Sequence, residues 1–345
     1  MRFLVGFILG FGIIELVSLV LIVLNIFTFL LYAIDKRKAA KGKWRISERM
    51  LICFTLALGG IGALLGMRFV RHKTRNNKFR FTVALGVMIT LVPVVHIAHG
   101  LTFSKMIRYV EIEFHSENWP VELDGYRIAF MTDMHTISDE RMGKIATELN
   151  ERNIGLLLMG GDFSMRNAHY EGTLREIAQI VTTDGIYGVE GNHDDHVRLF
   201  RAKEQYGITP LDNSGTHIRN GFYLAGIHDL WNRTPNVETA ISGADVDDFI
   251  LLLSHNPDVA MRQSTTGVDF ILSGHTHGGQ ITFFGYPIYL LRGSITDYGT
   301  YFGYGFSQSA DDIPVFTSSG IGDYYTIPRI FTRPEVVIFT MYNKQ

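Results

Sequence analysis

The sequence predicts an α/β fold, a four-layer α/β/β/α sandwich of two sheets flanked by helices, preceded by an α-helical transmembrane domain. Three observations predict it. Residues 3–34 and 81–101 are almost wholly apolar, whereas the chain beyond Met106 alternates short apolar runs with amphipathic ones. Polar clusters close those runs: Asp133 and His135 after Tyr126–Thr132, Asp162 after Ile154–Met159, and Asn192-His193-Asp194 after Gly185–Val189. His255 follows Phe249–Leu253, and His275 and His277 follow Val268–Ser273. The last third is rich in strands, which two sheets accommodate better than one. Residues 1–104 form the expected membrane domain and residues 105–345 the globular one.

Within the membrane domain, Leu16–Ala33 carries no charge, which reaches the ~17–25 residues a spanning helix needs. The run is too long for a signal peptide and no small-residue cleavage site follows it. Phe81–Leu101 contains no Lys, Arg, Asp or Glu, and its His96 and His99 have no carboxylate beside them, so they read as interfacial. Between these spans, Leu51–Met67 is short and carries Gly59, Gly60, Gly62 and Gly66; it can span, lie in the interface or re-enter. Both flanking loops, Lys36–Arg49 and Arg68–Arg80, are basic, and the positive-inside rule assigns both to the cytoplasm. That holds only if the middle segment does not cross, and residues 105–345 are then expected outside.

Charge narrows the partners. Residues 1–104 hold 14 Lys and Arg against 3 Asp and Glu; the remainder holds 18 against 31. A net-acidic domain with no basic run is a poor ligand for phosphate backbones, so no nucleic acid is expected. Cys53 is the lone cysteine, which excludes an intrachain disulfide.

In the globular part, Tyr109–Phe114 alternates with the period of a half-buried strand. Tyr126–Thr132 and Ile154–Met159 are continuous buried strands. Ser138–Asn153 reads as a helix, capped by Ser138 with Asp139 and Glu140 in its first turn, and Tyr170–Val181 as the next. Strands follow at Phe222–Ile227, Phe249–Leu253, Val268–Ser273, Gln280–Thr282, Val315–Ser318 and Val336–Met341. Strands alternating with helices imply a parallel-type sheet whose carboxyl ends carry the site.

The residues at those ends are metal ligands by type. Asp133 and His135, one residue apart, are expected on the same side of an extended strand end. Asp162, after Gly160 and Gly161, can offer one carboxylate oxygen to each of two ions. Asn192 supplies an amide oxygen; His255, His275 and His277 supply imidazoles. A mixed nitrogen and oxygen set suits Mn²⁺, Fe²⁺ or Zn²⁺ and disfavours Ca²⁺. Two such ions ~3.5–4 Å apart activate a bridging water and clamp phosphoryl oxygens. Singly, the clusters have plainer readings: Asp133 as a helix cap, Gly160-Gly161-Asp162 as a turn, His255 before Asn256-Pro257 as a turn residue. Two imidazoles one residue apart in Gly274-His275-Thr276-His277 rarely serve packing, and the ordered set reads as a dinuclear site.

That order, Asp-x-His, Gly-Gly-Asp, Gly-Asn-His-Asp, Ser-His-Asn-Pro, Gly-His-Thr-His, resembles the calcineurin-type metallophosphoesterases over roughly residues 105–345. The strings Leu272–Ile281, Ser319–Gly322, Ile327–Ile330 and Arg333–Val336 resemble its bacterial membrane-associated phosphodiesterase branch, which includes the YkuE and YaeI proteins. Tyr32–Arg37, Trp44–Arg49, Gly59-Gly60 and Arg71–Thr74 resemble a small bacterial membrane domain, DUF1294, which implies no chemistry. The phosphoesterase resemblance implies one ion on Asp133, His135, Asp162 and His277, and a second on Asp162, Asn192, His255 and His275. It further implies a hydroxide shared by the ions as nucleophile in an in-line attack, and His193 as the general acid toward the leaving oxygen. Two departures, Thr136-Ile137-Ser138 after the first histidine and Phe163–Asn167 after Asp162, touch substrate choice more than activity.

His115, His169, His196 and His217 read as surface residues, and Asp229, after His228, as a support for a ligand. Tyr298, Tyr301, Tyr304, Tyr324 and Tyr325 form either an aromatic rim or ordinary loop packing. The expected protein is an integral membrane enzyme of the bacterial inner membrane, most readily a phosphodiesterase, with two divalent ions (manganese, iron or zinc) and a small-molecule or lipid phosphoester as substrate. The alternatives are a UDP-2,3-diacylglucosamine-type pyrophosphatase of lipid A synthesis, which needs a cytoplasmic catalytic face, and a catalytically silent scaffold or sensor.

Overall fold

The computed structural model describes residues 13–164, 170–195, 197, 201, 205–287, 295–324 and 328–344. The expectations for residues 3–12, residues 165–167, His169, His196 and Tyr325 lie outside the described residues. The chain divides into two compact units, Met1–Leu101 and Thr102–Gln345.

The first unit holds helices α1 (Ile13–Ala40), α2 (Glu48–Phe54) and α3 (Gly60–Phe69), and most of α4 (Asn77–Phe103). Three described stretches are long and apolar enough to cross a membrane: Ile14–Ala40, Glu48–Phe69 and Asn77–Phe103. The middle stretch is longer than its apolar run suggested, because helix begins at Glu48, where Ser47 caps it. As an unbroken helix its 22 residues would reach about 33 Å, the thickness of a bilayer core. Its helix is interrupted at Ala57 and Leu58, the latter with φ 67°. Asn25 spans the break, donating through Nδ2 to Leu58 O at 2.9 Å and accepting from Gly62 N at 2.8 Å. Thr90 Oγ1 accepts from Gly60 N at 3.1 Å. Non-helical backbone at membrane depth requires such internal partners. The basic loops are tied together by Asp35, fully buried, which accepts from Arg45 at 2.8 Å and Ile46 N at 3.0 Å and meets His72 Nε2 at 2.6 Å.

Among the described residues, the second unit contains two six-stranded mixed sheets. The first comprises β1 (Arg108–Ser116), β2 (Tyr126–Met131), β3 (Leu156–Met159), β4 (Ile186–Gly188), β5 (Ile208–Pro210) and β12 (Glu335–Asn343), in the order β1-β12-β2-β3-β4-β5. The second comprises β6 (Ser214–Arg219), β7 (Phe222–Gly226), β8 (Phe249–Leu253), β9 (Phe270–Ser273), β10 (Gly305–Gln308) and β11 (Pro314–Thr317), in the order β10-β11-β9-β8-β7-β6. Strands β2, β3 and β4 are parallel neighbours, as are β7, β8, β9 and β11. The pair β12 and β2 is antiparallel, as are the edge pairs β6–β7 and β10–β11, so neither sheet is purely parallel.

Alternate residues build the layers. Ile128, Phe130, Leu156, Leu158, Val337 and Phe339 face Leu224, Phe249, Leu251, Phe270 and Leu272 between the sheets. Ala129, Met131, Leu157, Met159 and Ile338 point outward beneath α5 (Asp139–Asn150) and α6 (Tyr170–Ile177). Ala225, Ile250, Leu252 and Ile271 do the same beneath α7 (Val237–Ile241) and α8 (Val259–Arg262). Helix α5 forms because Ser138 accepts from Arg141 N at its start and Met142, Ile145, Ala146 and Leu149 recur on one face. Three strands carry too little apolar pattern to be seen in sequence: β5, β6 and β10, of which β6 and β10 run along edges half in solvent. Conversely, Gln280–Thr282 is no strand. Ile281 forms a single bridge with Ile330, directly after the tight turn at His277–Gly279.

Candidate metal centre

The donors named from the sequence meet beyond the carboxyl ends of β2, β3, β4, β8 and β9. The backbone that delivers them is not extended. Strand β2 stops at Met131, and Asp133 and His135 follow with φ of 54° and 42°. The chain reverses there, with Asp133 N on Gly161 O at 3.0 Å and His135 N on Asp162 O at 3.2 Å. This corrects the expected extended strand end. Asp162, His275 and His277 also stand in the left-handed region, at 54°, 71° and 53°. Each such residue costs about 1–3 kcal/mol, a strain that surrounding structure must hold. Gly161 permits the approach: at φ 93°, a Cβ there would lie 2.7 Å from Gly191 N and 2.8 Å from His255 Nδ1.

The donors fall into two overlapping clusters. In the first, His135 Nε2 lies 2.9 Å from His277 Nε2, 3.4 Å from Asp162 Oδ2 and 3.8 Å from Asp133 Oδ1, which is 3.3 Å from His277 Nε2. In the second, His255 Nε2 lies 3.4 Å from Asp162 Oδ2, 3.2 Å from Asn192 Oδ1 and 3.3 Å from His275 Nδ1. Asp162 Oδ2 thus belongs to both. Its Oδ1 accepts from His193 N at 2.8 Å, so one oxygen, not two, faces the clusters.

Hydrogen bonds orient the histidine rings. His255 Nδ1 donates to Gly160 O at 2.8 Å, which turns its Nε2 toward the donor cluster. His275 donates the other way round, through Nε2 to Ile295 O at 3.1 Å, and presents Nδ1. Asp133 Oδ1 is buried without a hydrogen-bond partner. Two imidazole nitrogens bound side by side to one ion at ~2.1 Å would lie about 3 Å apart, close to the His135–His277 separation. The donor set therefore fits a pair of divalent ions.

Electrostatics agrees. Burial pushes His135 down to about 4 and His275 down to about 3, and holds His277 well below the usual range. These are the neutral forms that ligate. Burial pushes Asp133 up to about 6. Burial also opposes ionisation of Asp162, but His255 and His135 outweigh it and hold that carboxyl down. His255 is lifted well above its ordinary value, against burial, by Asp162 and Asp133. One imidazole is thus the chief counter-charge to two buried carboxylates, a deficit that divalent ions would fill.

Three supporting residues were not assigned these roles from sequence. Asp194 accepts from Asp162 N, Phe163 N and Gly191 N at 2.7–2.8 Å, tying together the loops after β3 and β4; its place in Gly191-Asn192-His193-Asp194 was the available signal. Arg329, fully buried, donates to Gly322 O at 2.6 Å and to His277 O at 3.3 Å, with its Nη2 3.3 Å from His277 Nδ1. Asn232 Nδ2 donates to Asn192 O at 2.7 Å. Asp229, read from the sequence as a support for a ligand, caps the turn carrying Asn232, accepting from Trp231 N at 2.8 Å and Asn232 N at 3.0 Å.

A cavity of about 490 Å³ opens above the donors, and its wall includes His193, Trp231, Ile281, Ile295 and Tyr324. The His193 ring lies edge-on to those of His135 and Tyr324, with centroids 5.4 Å and 5.7 Å away. Tyr298, Tyr301 and Tyr304 do not line this cavity. His217, exposed as expected, meets Asp248 at 2.8 Å and Asp245 at 3.6 Å in a loop whose Asp248 also takes Asp245 N.

Comparison with known proteins follows this geometry. Residues 126–279 match the calcineurin-like phosphoesterase family, and residues 25–79 match DUF1294, a family of unknown function. The chain is 28% identical over 305 residues to a transmembrane protein with metallophosphoesterase domain from Danio rerio, covering 81% of this chain and 67% of that one. An uncharacterized metallophosphoesterase of Helicobacter pylori is 27% identical, covering 64% of this chain and 61% of its own length. The uncharacterized metallophosphoesterase YkuE of Bacillus subtilis is 27% identical, covering 68% and 86%. The chain thus spans less than two thirds of the Helicobacter relative.

Proposed function

With a calcineurin-like metallophosphoesterase domain behind a DUF1294 region as premise, we propose that this chain is a membrane-anchored, dinuclear metal-dependent phosphodiesterase. One observation carries the reading: Asp162 Oδ2 stands 3.4 Å from both His135 Nε2 and His255 Nε2, at the junction of two donor clusters. Asp133, His135, Asp162 and His277 would hold one ion; Asp162, Asn192, His255 and His275 would hold the other. With imidazole, carboxylate and amide donors and no thiolate, the set suits Mn²⁺, Fe²⁺ or Zn²⁺. Bound there, two divalent ions supply an activated water and neutralise charge on the phosphoryl oxygens.

The chain's own residues do the rest. His193 sits at the cavity wall with its main chain pinned to Asp162, so its imidazole can carry a proton to the departing oxygen. The Tyr324 ring packs edge-on against it and limits its swing. Trp231, Ile281 and Ile295 give the cavity an apolar wall suited to an organic group on the phosphorus, and they reduce the water that competes for the leaving group.

Turnover of a chromogenic phosphodiester and a phosphomonoester by the detergent-purified chain tests the reading. Diester cleavage that requires Mn²⁺, stops with chelator and is lost in Asp162→Asn supports it. Two bound ions without turnover of either compound would favour a silent scaffold. Anchoring through the three apolar stretches makes the bilayer its first partner. We place the catalytic unit on the extracytoplasmic side, which requires the interrupted segment Glu48–Phe69 to enter and leave on one face so that both basic loops stay inside. Protection of residues 102–345 from protease in spheroplasts would reverse that orientation and reopen the cytoplasmic pyrophosphatase reading.

A further inference from the structure

After the cavity wall at Ile281 the chain makes a tight hairpin turn. Phe283 N donates to Tyr286 O at 2.8 Å and Tyr286 N returns to Phe283 O at 3.0 Å. The two central residues are Phe284, φ 49°, and Gly285, φ 90°. Two-residue turns with both φ positive are the province of Asn-Gly and Asp-Gly, since a bulky side chain in the left-handed region is strained. Here a phenylalanine takes that place and its ring does not go inward. Phe283, Phe284 and Tyr286 are 48%, 54% and 56% exposed. The Phe284 ring packs on Phe283 at 4.9 Å and on Phe331 at 5.2 Å. The result is a strained turn that holds contiguous aromatic surface in the open, the mark of an interaction site.

Two further observations say what meets it. Arg333, two residues beyond Phe331 and so within about 7 Å along the chain, lies over the ring of Phe103 at 5.8 Å. Phe103 is the last residue of the apolar stretch Asn77–Phe103, and Arg108 N is bonded to Pro334 O at 2.9 Å. Within the second unit the aromatic turn is thus linked, through Phe331 and the neighbouring Arg333, to Phe103, where the apolar stretch ends. Aromatic rings with cations alongside are the composition of a membrane-interface anchor over anionic headgroups. On its other side the turn joins the cavity, because Ile281 lines it and bridges to Ile330, next to Phe331.

We propose that the turn Phe283–Tyr286 seats in the bilayer interface, and that the substrate is a phosphoester whose apolar chain stays in the membrane while its phosphate enters the cavity. This substrate class rests on the phosphodiesterase reading above; the membrane contact does not. The aromatic turn lets a long chain pass from lipid to the Ile281 wall without crossing water.

The test uses the full chain in phosphatidylcholine–phosphatidylglycerol vesicles and two diesters with one leaving group, p-nitrophenyl ethyl phosphate in water and p-nitrophenyl hexadecyl phosphate in the bilayer. The parent should prefer the hexadecyl ester by at least about tenfold in kcat/KM, since each methylene left in lipid favours binding. Phe283→Ser with Phe284→Ser should erase that preference while leaving ethyl ester turnover intact, which also shows that the variant is folded. An unchanged preference overturns the substrate assignment. Independently of activity, the added fluorescence of Phe284→Trp should be quenched by phosphatidylcholine brominated high on its acyl chains, and absence of quenching overturns the membrane contact. Quenching with no turnover of either ester would leave the contact standing and defeat the phosphodiesterase reading instead.

Discussion

The main-chain N–H of His193 donates to Asp162 Oδ1 at 2.8 Å, and this bond leaves Asp162 Oδ2 alone between the two donor clusters. The residue proposed to protonate the leaving group thereby also orients the carboxylate shared by both donor clusters, through its backbone and not its ring. The two roles separate by substitution.

Asp162→Asn should lose both ions and all metal-dependent turnover, because the amide cannot carry the shared negative charge. His193→Ala keeps the main-chain bond, so it should retain two ions per chain while kcat falls by about 10²–10⁴-fold. Metal content by mass spectrometry beside steady-state rates checks both, and loss of metal from the alanine variant would make His193 a ligand.

Arg329 is a positioning residue for His277. Arg329→Met should weaken one of the two ions by about 10–100-fold and leave the other near its parental affinity. It also strands Gly322 O, at a cost of about 1–3 kcal/mol. Arg329→Lys should rescue little, since one ammonium cannot reach both carbonyls. Equal loss of both ions on titration would contradict this.

Chelation should destabilise the catalytic unit, because Asp133 and Asp162 are buried and left with His255 as their chief counter-charge. An ion held at a hundred times its Kd contributes about 2.7 kcal/mol. For a unit of this size that corresponds to roughly 5–10 °C in Tm per ion. Calorimetry with and without chelator measures it, and an unmoved Tm would mean that the folded donors bind no ion.

In the membrane unit, Asn25→Leu removes both bonds that bridge the break near Leu58. Each stranded backbone group should cost about 1–3 kcal/mol, seen as a lower thermal midpoint in detergent. Turnover of a soluble diester should not change. A midpoint equal to the parent would show that the break is satisfied in some other way.

Tyr304 offers a pH signature at the root of the catalytic unit, where its hydroxyl donates to Glu335, which also pairs with Arg108. Burial first, then the Glu335 charge, pushes this phenol up to about 12. Because the folded value exceeds the unfolded one, the neutral form's contribution to stability is complete below about pH 10. It is lost as pH rises from there through about 12. Tyr304→Phe should delete one late phenolate from an ultraviolet titration, and an unaltered titration would disprove the shift.

Much of the fold was legible because buried strands leave unbroken apolar runs: Phe249–Leu253 and Ile154–Met159 read directly, as did the cap at Ser138. Strands β6 and β10 were not legible, since half-exposed edge strands need no apolar period. The middle apolar segment was read short, because its helix starts in polar residues from Glu48 that hydropathy does not score.

By itself the sequence determined the donors and their order: carboxylates, amide and imidazoles, each after an apolar run, because parallel strands deliver whatever follows them to one end of a sheet. The tertiary structure decided how those donors are used. The left-handed backbone at Asp133 and His135, the single cluster-facing oxygen of Asp162, the opposite ring orientations of His255 and His275, and the hold of Arg329 on His277 were not written locally. Most of these arise from contacts between residues far apart in the chain, such as His193 on Asp162, Gly160 on His255 and Arg329 on His277. A carboxylate's free lone pair or an imidazole's proton is set by whichever neighbour packing brings within 3 Å.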